Sequence, residues 1–413
     1  MRFIYSFIIT LYTGLIHLVS PFNRKAYLWV SGRRGWAEKL REKFSGDDKV
    51  IWVHCASLGE FEQARPVIEK IRSEKPEYRF LVTFFSPSGY EIRKDWPFAD
   101  YICYLPSDTR INAEKFIKIV NPSVVLFIKY EFWNNFISVL HKNGVPVYLV
   151  SGIFRPGQHF FKWYGGFFRE MLGKYTSIFV QDSASVEILA QIGIRNVILS
   201  GDTRFDRVYH IALSAKTIQV LEHFKSGEDL LLAGSSWPRD EDIIITYINN
   251  YPDRIKWVFA PHEIDQQGIE RLEKLLTVKS VRFSDFKGGH SDARVLIIDN
   301  IGLLSSAYRY ANVAVVGGGF GKGIHNILEP ACWGLPVLFG PNHLKFREAV
   351  ELLREGGAFS FSNYDEFRDI INMLLSDSEL YRRASGTAKK YILSNRGATD
   401  MIVKLILKKD INK

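Results

Sequence analysis

The sequence predicts an α/β protein carrying two doubly wound parallel sheets. Three observations predict it. Short apolar runs recur along the chain and alternate with segments of helical period, the pattern of βα units with helices on both faces of a sheet. The runs fall into two series, separated by a stretch with weak strand character at about 204–228. Within the second series, the apolar run Val313–Val316 opens into Gly317-Gly318-Gly319, Gly321 and Gly323, then a helix expected over about 326–333 and a further apolar run at 336–340. Strand, glycine-rich turn, helix, strand is how such proteins present backbone N–H groups to an anion, because without a Cβ the backbone can approach it closely. The segment has neither the Lys-Ser/Thr ending of a P-loop nor a GxGxxG fingerprint, and a tight βα turn that binds nothing is the competing reading.

The elements justify themselves in order. Phe3–Val19 contains no Asp, Glu, Lys or Arg and is followed by Arg24, Lys25, Arg33, Arg34, Lys39, Arg41 and Lys43. It is slightly short of the ~20 residues of a relaxed span, and Ser20-Pro21 is a poor cleavage site. The expectation is an uncleaved membrane anchor over 1–22, spanning or lying in the interface. Its basic collar would sit on the cytoplasmic side, against an anionic membrane surface. The first series of strands is expected at 50–55, 80–85, 101–105, 124–128, 145–150, 177–180 and 197–199, with helices at 60–73 and 112–119, giving an N-terminal domain over 23–210. The second is expected at 230–233, 256–260, 295–298, 313–316 and 336–339, giving a C-terminal domain over 211–413, with 204–228 as the linker. Two such domains in tandem put a cleft between two sets of strand carboxyl ends.

Composition agrees. A chain of 413 residues has room for two cores, and 46% hydrophobic with 24% charged residues is ordinary for a globular protein. The formal charge of +9 suits an anionic partner, and no recognised nucleic-acid-binding motif accompanies it. Cys55, Cys103 and Cys332 lie far apart in apolar contexts; no metal spacing or disulfide framework appears, which indicates a reducing compartment.

Polar residues after the apolar runs supply candidates for chemistry. Glu60 follows the run at 50–55 through Ser-Leu-Gly and begins a helix, where the dipole favours its anion; it reads equally as a capping glutamate. Glu131 ends the most apolar early strand, with Lys129 on the same strand face, so a structural ion pair competes with a functional role. Arg204, Arg155 and Lys322 could neutralise phosphate or carboxylate. Ser235-Ser236 resembles a second anion-holding turn, His262 and His325 are candidate hydrogen-bond donors, and Glu329 suits ribose hydroxyls.

These residues carry a resemblance that runs along nearly the whole chain. HCASLGE at 54–60, KYEFWNN at 129–135, GDTRFD at 201–206, AGSSWPRDED at 233–242, APHE at 260–263, DNIGLLSSAYRYANVAVVGGG at 299–319 and GIHNILEPACWGLPVLFGP at 323–341 resemble, in order and spacing, the 3-deoxy-D-manno-octulosonic acid (Kdo) transferases of lipopolysaccharide and lipid A synthesis. The resemblance implies the GT-B architecture, two Rossmann-like domains facing a central cleft. It implies an inverting transfer of Kdo from CMP-Kdo to a lipid A precursor (lipid IVA) with release of CMP, at the inner membrane, without metal or other cofactor. By position, Glu60 would be the general base, with Glu131 and Arg204 stabilising the transition state. Pro261, His262, Ile301, Gly302, Leu303, Asn326, Ile327, Leu328 and Glu329 would contact CMP-Kdo, and Ser235, Ser236, Gly318, Gly319, Lys322 and His325 could reach the donor phosphate or sugar.

The chain also departs from the family pattern. Arg204 stands where Lys is usual, His262-Glu263 where Arg-His is usual, and Leu303 where Glu is common. Asn134 takes the place of a Pro, and Lys129 that of an acidic residue. A GT-B sugar-nucleotide epimerase and a non-catalytic sugar-nucleotide-binding membrane protein are the alternative readings; neither the number of Kdo units added nor the oligomeric state is legible.

Overall fold

A computed structural model describes residues 2–44, 48–286 and 292–411. It divides into two compact units, Met1–Arg207 with Arg396–Lys413, and Val208–Asn395.

The sheet of the first unit is formed by β1 (Val50–Cys55), β2 (Arg79–Phe84), β3 (Tyr101–Tyr104), β4 (Pro122–Ile128), β5 (Val147–Gly152), β6 (Ser177–Val180) and β7 (Val197–Leu199), in the order β3-β2-β1-β4-β5-β6-β7. Every pairing is parallel. All six residues of β1, VIWVHC, are buried, as expected of a strand covered by helices on both faces, which therefore reads as a continuous apolar run. One face packs Trp52, Phe116, Phe127 and Phe136. The other packs Phe61, Ile68 and Phe84 with Ile402, Val403 and Ile406.

Those last three residues correct the expected domain boundary. The helix Ala398–Ile406 belongs to the first unit, because its apolar side completes that unit's core. The chain passes from one unit to the other at Arg207/Val208, inside the expected linker, which is largely helical. Residues 204–228 hold most of the helix Thr203–Leu213 and all of Gln219–Lys225, whose Val208, Leu221 and Phe224 are buried.

The second unit is also a seven-stranded parallel sheet. Its strands β8 (Leu230–Ser236), β9 (Lys256–Pro261), β10 (Ser280–Arg282), β11 (Val295–Ile297), β12 (Val313–Val316), β13 (Val337–Phe339) and β14 (Ala358–Ser360) are ordered β10-β11-β9-β8-β12-β13-β14. The strand order differs from that of the first unit on one side, where β11 lies between β10 and β9. In each sheet the order reverses beside the first strand, at β1/β4 and at β8/β12. Ligands of open α/β sheets bind outside the strand carboxyl ends at such a reversal. The edge strands β10 and β14 escaped the sequence reading; each has three residues, mostly half-buried.

At the N-terminus the helix Arg2–Val19 is followed by Arg24–Ser31. Among the described residues no single helix is long and apolar enough to cross a membrane; this pair, taken together, is bent by 118°. Phe3, Phe7 and Leu18 are 92%, 68% and 72% exposed. The opposite flank is docked: the Tyr5 hydroxyl donates to Asp108 Oδ2 at 2.6 Å, and Thr13 Oγ1 donates to Ser107 Oγ at 3.1 Å. Arg33, expected in the basic collar, is instead buried. Its guanidinium lies 3.7 Å from the Trp29 ring centroid and donates to the carbonyls of Leu105, Trp29 and Phe85 at 2.7, 2.9 and 2.9 Å. A buried guanidinium without these acceptors would be costly.

Candidate active site

The carboxyl ends of β1, β4 and β5 gather the ionisable groups of the first unit. After β1 the chain turns into the helix Leu58–Glu74, and Glu60 folds back to accept the Ser57 N–H at 3.0 Å. The capping role is therefore real. It does not exhaust the residue, because burial pushes the Glu60 carboxyl up to about 7, reinforced by the negative charge of Glu131. The N–H groups of Ala56 and Ser57 and the Lys129 ammonium pull the other way without prevailing. A half-buried carboxyl poised near neutrality can accept a proton at working pH.

Glu131 is buried in a built polar nest. Its Oε2 meets His54 Nε2 at 2.9 Å and accepts from Trp133 Nε1. His54 Nδ1 meets Thr83 Oγ1 at 2.8 Å, and that hydroxyl oxygen also accepts from Trp52 Nε1 at 2.8 Å. The Thr83 hydroxyl proton can then point at His54 Nδ1, which leaves the other ring nitrogen to donate to the carboxylate. The Tyr175 hydroxyl donates to the Glu131 carbonyl at 2.6 Å. An imidazole and an indole thus hold this carboxylate.

Backbone strain marks the same strand ends. Lys129 (φ 67°), Ser151 (φ 59°) and Ser235 (φ 50°) adopt left-handed conformations without being glycine, each at a cost of about 1 kcal/mol. They close β4, β5 and β8. Arg204 lies in the first turn of Thr203–Leu213, with Nε donating to Asp202 Oδ2 at 2.8 Å. Thr203 anchors that turn by donating to the Gln63 carbonyl at 2.7 Å, so Arg204 and Glu60 sit on helices tied to one another.

In the second unit the glycine turn differs from expectation. Its N–H groups were expected to face an anion. Instead Gly317 donates to the Gly234 carbonyl at 3.0 Å, His325 to that of Gly317 at 3.1 Å, and Gly318 to the Asp240 carboxylate at 2.9 Å. The glycines answer to packing: a Cβ on Gly317 would lie 2.2 Å from the Ser235 oxygen, and one on Gly319 would lie 2.5 Å from Gly340 Cα. Gly318, with φ 92°, is a true left-handed position. The expected anion contact at the Gly318 N–H is thus corrected, since a protein carboxylate already holds it.

Beside this turn stand three stacked rings. Trp237 and His262 have centroids 4.8 Å apart, and His262 and His325 4.2 Å apart. Trp237 Nε1 donates to His325 Nε2 at 2.9 Å. Burial, with His262 adding to it, lowers His325 to about 4. At neutral pH His325 is uncharged, and its ring proton sits on Nδ1 because Nε2 is accepting. Ser236 Oγ donates to Glu241 at 2.9 Å. Glu329 accepts from Ser305 Oγ at 2.6 Å and from Asn326 Nδ2 at 3.0 Å, so it is already oriented by neutral donors. Pro261 ends β9, Ile327 and Leu328 are buried, and Ile301, Gly302 and Lys322 are exposed while Leu303 is half-buried.

Sequence reasoning assigned no role to Trp52, Thr83, Trp133, Tyr175 or Asp240. Trp133 lay inside a quoted motif, two residues from Glu131, but its N–H is aimed by the fold. Among the described residues, no three His, Cys, Asp or Glu side chains gather as a metal-holding group.

Comparison with known proteins bears on the family and the fold. Residues 30–207 match the family model described as 3-deoxy-D-manno-octulosonic-acid transferase (kdotransferase). The chain is 28% identical over 344 residues to the 3-deoxy-D-manno-octulosonic acid transferase of Aquifex aeolicus, covering 81% of this chain and 89% of that protein. It is 24% identical over 368 residues to that of Haemophilus influenzae, covering 86% of each. Among solved structures, the UDP-GlcNAc 2-epimerase of Neisseria meningitidis bound to UDP-GlcNAc superposes with a TM-score of 0.62 at 17% identity, over 87% of this chain and 100% of that one. A glycosyltransferase from Rickettsia africae gives 0.57 at 13%, over 88% and 100%. These two likenesses establish the two-domain GT-B-like fold alone. Residues 30–207 thus match the Kdo transferase family model, and 81–86% of the chain aligns to proteins named 3-deoxy-D-manno-octulosonic acid transferase from several bacteria, which makes this chain similar to that family of glycosyltransferases.

Proposed function

We propose that this protein transfers Kdo from CMP-Kdo to a lipid A precursor (lipid IVA) and releases CMP, with inversion at the anomeric carbon. The observation that carries the reading is the Glu60 carboxyl, raised to about 7 by its burial and the neighbouring Glu131. Glu60 takes the proton of an acceptor hydroxyl, and the hydroxyl oxygen forms the new bond to the anomeric carbon. The bond from that carbon to the CMP phosphate breaks, and CMP leaves with the electron pair. A base near neutrality serves such a step over a factor of roughly 10²–10⁴.

Glu131, held by His54 and Trp133, keeps Glu60 basic and offers negative charge to a transition state in which positive charge develops on the sugar. Arg204, oriented by Asp202, stabilises the transition state, and in the second unit the donors His325, Asn326 and Lys322 hold the donor phosphate, without a metal or other cofactor. Glu329, already bonded to Ser305 and Asn326, accepts from ribose hydroxyls. The exposed apolar flank of Arg2–Val19 supports a location at the cytoplasmic face of the inner membrane, where a glycolipid acceptor resides.

The test is incubation with CMP-Kdo and a tetra-acylated lipid A precursor, read by mass spectrometry, with CMP release followed in parallel. Added Kdo on the lipid supports the reading. CMP-Kdo binding without any lipid product sinks it.

A further inference from the structure

A second polar recess lies on the other flank of the helix Asn134–Lys142, in the first unit. It is a groove of about 1060 Å³ whose lining includes Arg110, Lys118, Asn134, His141, Lys142 and Lys174, with Phe3 at one end. Its charges do not cancel. Arg110 pairs with Glu114 at 2.9 Å, and Lys174 with Glu170 at 3.3 Å while also donating to Ser138 Oγ at 3.0 Å. Lys118 and Lys142 are exposed and have no carboxylate within ion-pair distance among the described residues. Two surplus positive charges therefore face one recess.

Asn134 adds an independent sign. It is 2% exposed, and its side-chain amide makes no hydrogen bond among the described residues, although it lines the groove. Its amide atoms are not among the side-chain atoms shut off from solvent without a partner, so they open onto the groove, where a ligand or water can pair with them. The recess has the size of a small-molecule site. Phe3 belongs to the helix whose apolar side is exposed, so a head group at a bilayer surface would lie within reach.

We propose that this groove binds a phosphate group, carried by a lipid head group or free in solution, through Lys118, Lys142 and the Asn134 amide. The proposal is independent of the catalytic reading above.

Two arms of one experiment test it on the full chain. In the first, binding to phosphatidylcholine vesicles is compared with binding to the same vesicles containing phosphatidic acid. In the second, inorganic phosphate is titrated and the unfolding temperature followed. Each is run on the wild type, on Lys118→Gln/Lys142→Gln, and on Lys389→Gln/Lys390→Gln, which removes the same charge from exposed residues of the second unit, outside the groove. If the site binds a lipid phosphate, the groove variant weakens phosphatidic-acid-dependent binding about tenfold or more, and the control by much less. If it binds the free ion, phosphate stabilises the wild type and the control but not the groove variant. Equal losses in the two variants, or a wild type that responds in neither arm, overturn the proposal.

Discussion

The two units share a parallel seven-stranded sheet whose order reverses beside the first strand, and they differ in what they place at the strand ends. In the first unit the reversal at β1/β4 ends in a half-buried carboxyl raised to about 7 beside a buried, hydrogen-bonded one. In the second, the reversal at β8/β12 ends in tight glycine packing and a ring stack in which the half-buried His325 is neutral. One end can move a proton; the other presents shape and oriented neutral donors. The parallel sheet and its reversal are common property, and the chemistry follows from which side chains burial strips of water.

The largest expected effect tests the first unit. Glu60→Gln keeps the cap acceptor and removes the base, so turnover should fall by about 10³, measured by CMP release at saturating donor. The wild-type rate should rise tenfold per pH unit up to about 7 and then level. A stability effect accompanies it. The native carboxyl keeps its proton up to about 7, against the ordinary 4.5. Over that window the unfolded chain has already released the proton, so stability falls as pH rises through it. Denaturant melts should show this loss in the wild type and a flatter profile in Glu60→Gln, with the variant ahead at pH 8 by about 1 kcal/mol after discounting for partial exposure.

The next effect tests the second unit. Gly319→Ala would press a Cβ to 2.5 Å from the Gly340 backbone, and should cost about 3 kcal/mol in a chemical melt. Trp237→Phe keeps most of the stack and removes the donor to His325 Nε2. It should cost about 1 kcal/mol, and nitrogen NMR should report loss of the single Nδ1–H tautomer. Unchanged imidazole shifts would break the claim that Trp237 fixes that proton. The smallest effect returns to the first unit as a contrast: a Cβ at Gly59 meets nothing within 4 Å, and it lies in the helix Leu58–Glu74. Gly59→Ala should therefore stabilise by about 0.5–1 kcal/mol.

Much of this was legible in the residue order. Strands such as β1 and β4 are buried on both faces, and a continuous apolar run survives in the sequence as a signal. Edge strands β10 and β14 are too short and too exposed to leave one. Glu60 and Glu131 were readable as polar residues at strand ends. The support of Glu131 was not, because His54, Thr83 and Trp133 come from three separate strands or loops. The glycine turn misled in the opposite way: glycine declares that something approaches closely, but not whether it is a ligand or the protein's own backbone.

By itself, then, the order of residues determined two parallel sheets, their strand ends and the residue types that stand there, since periodicity and local turn chemistry act over short stretches of chain. Tertiary structure alone decided the return of the helix Ala398–Ile406 to the first unit, the burial of Arg33, the capture of the Gly318 N–H by Asp240 and the raised proton affinity of Glu60. Each of these depends on desolvation or contact between segments distant in sequence, and neither quantity exists until the chain has folded.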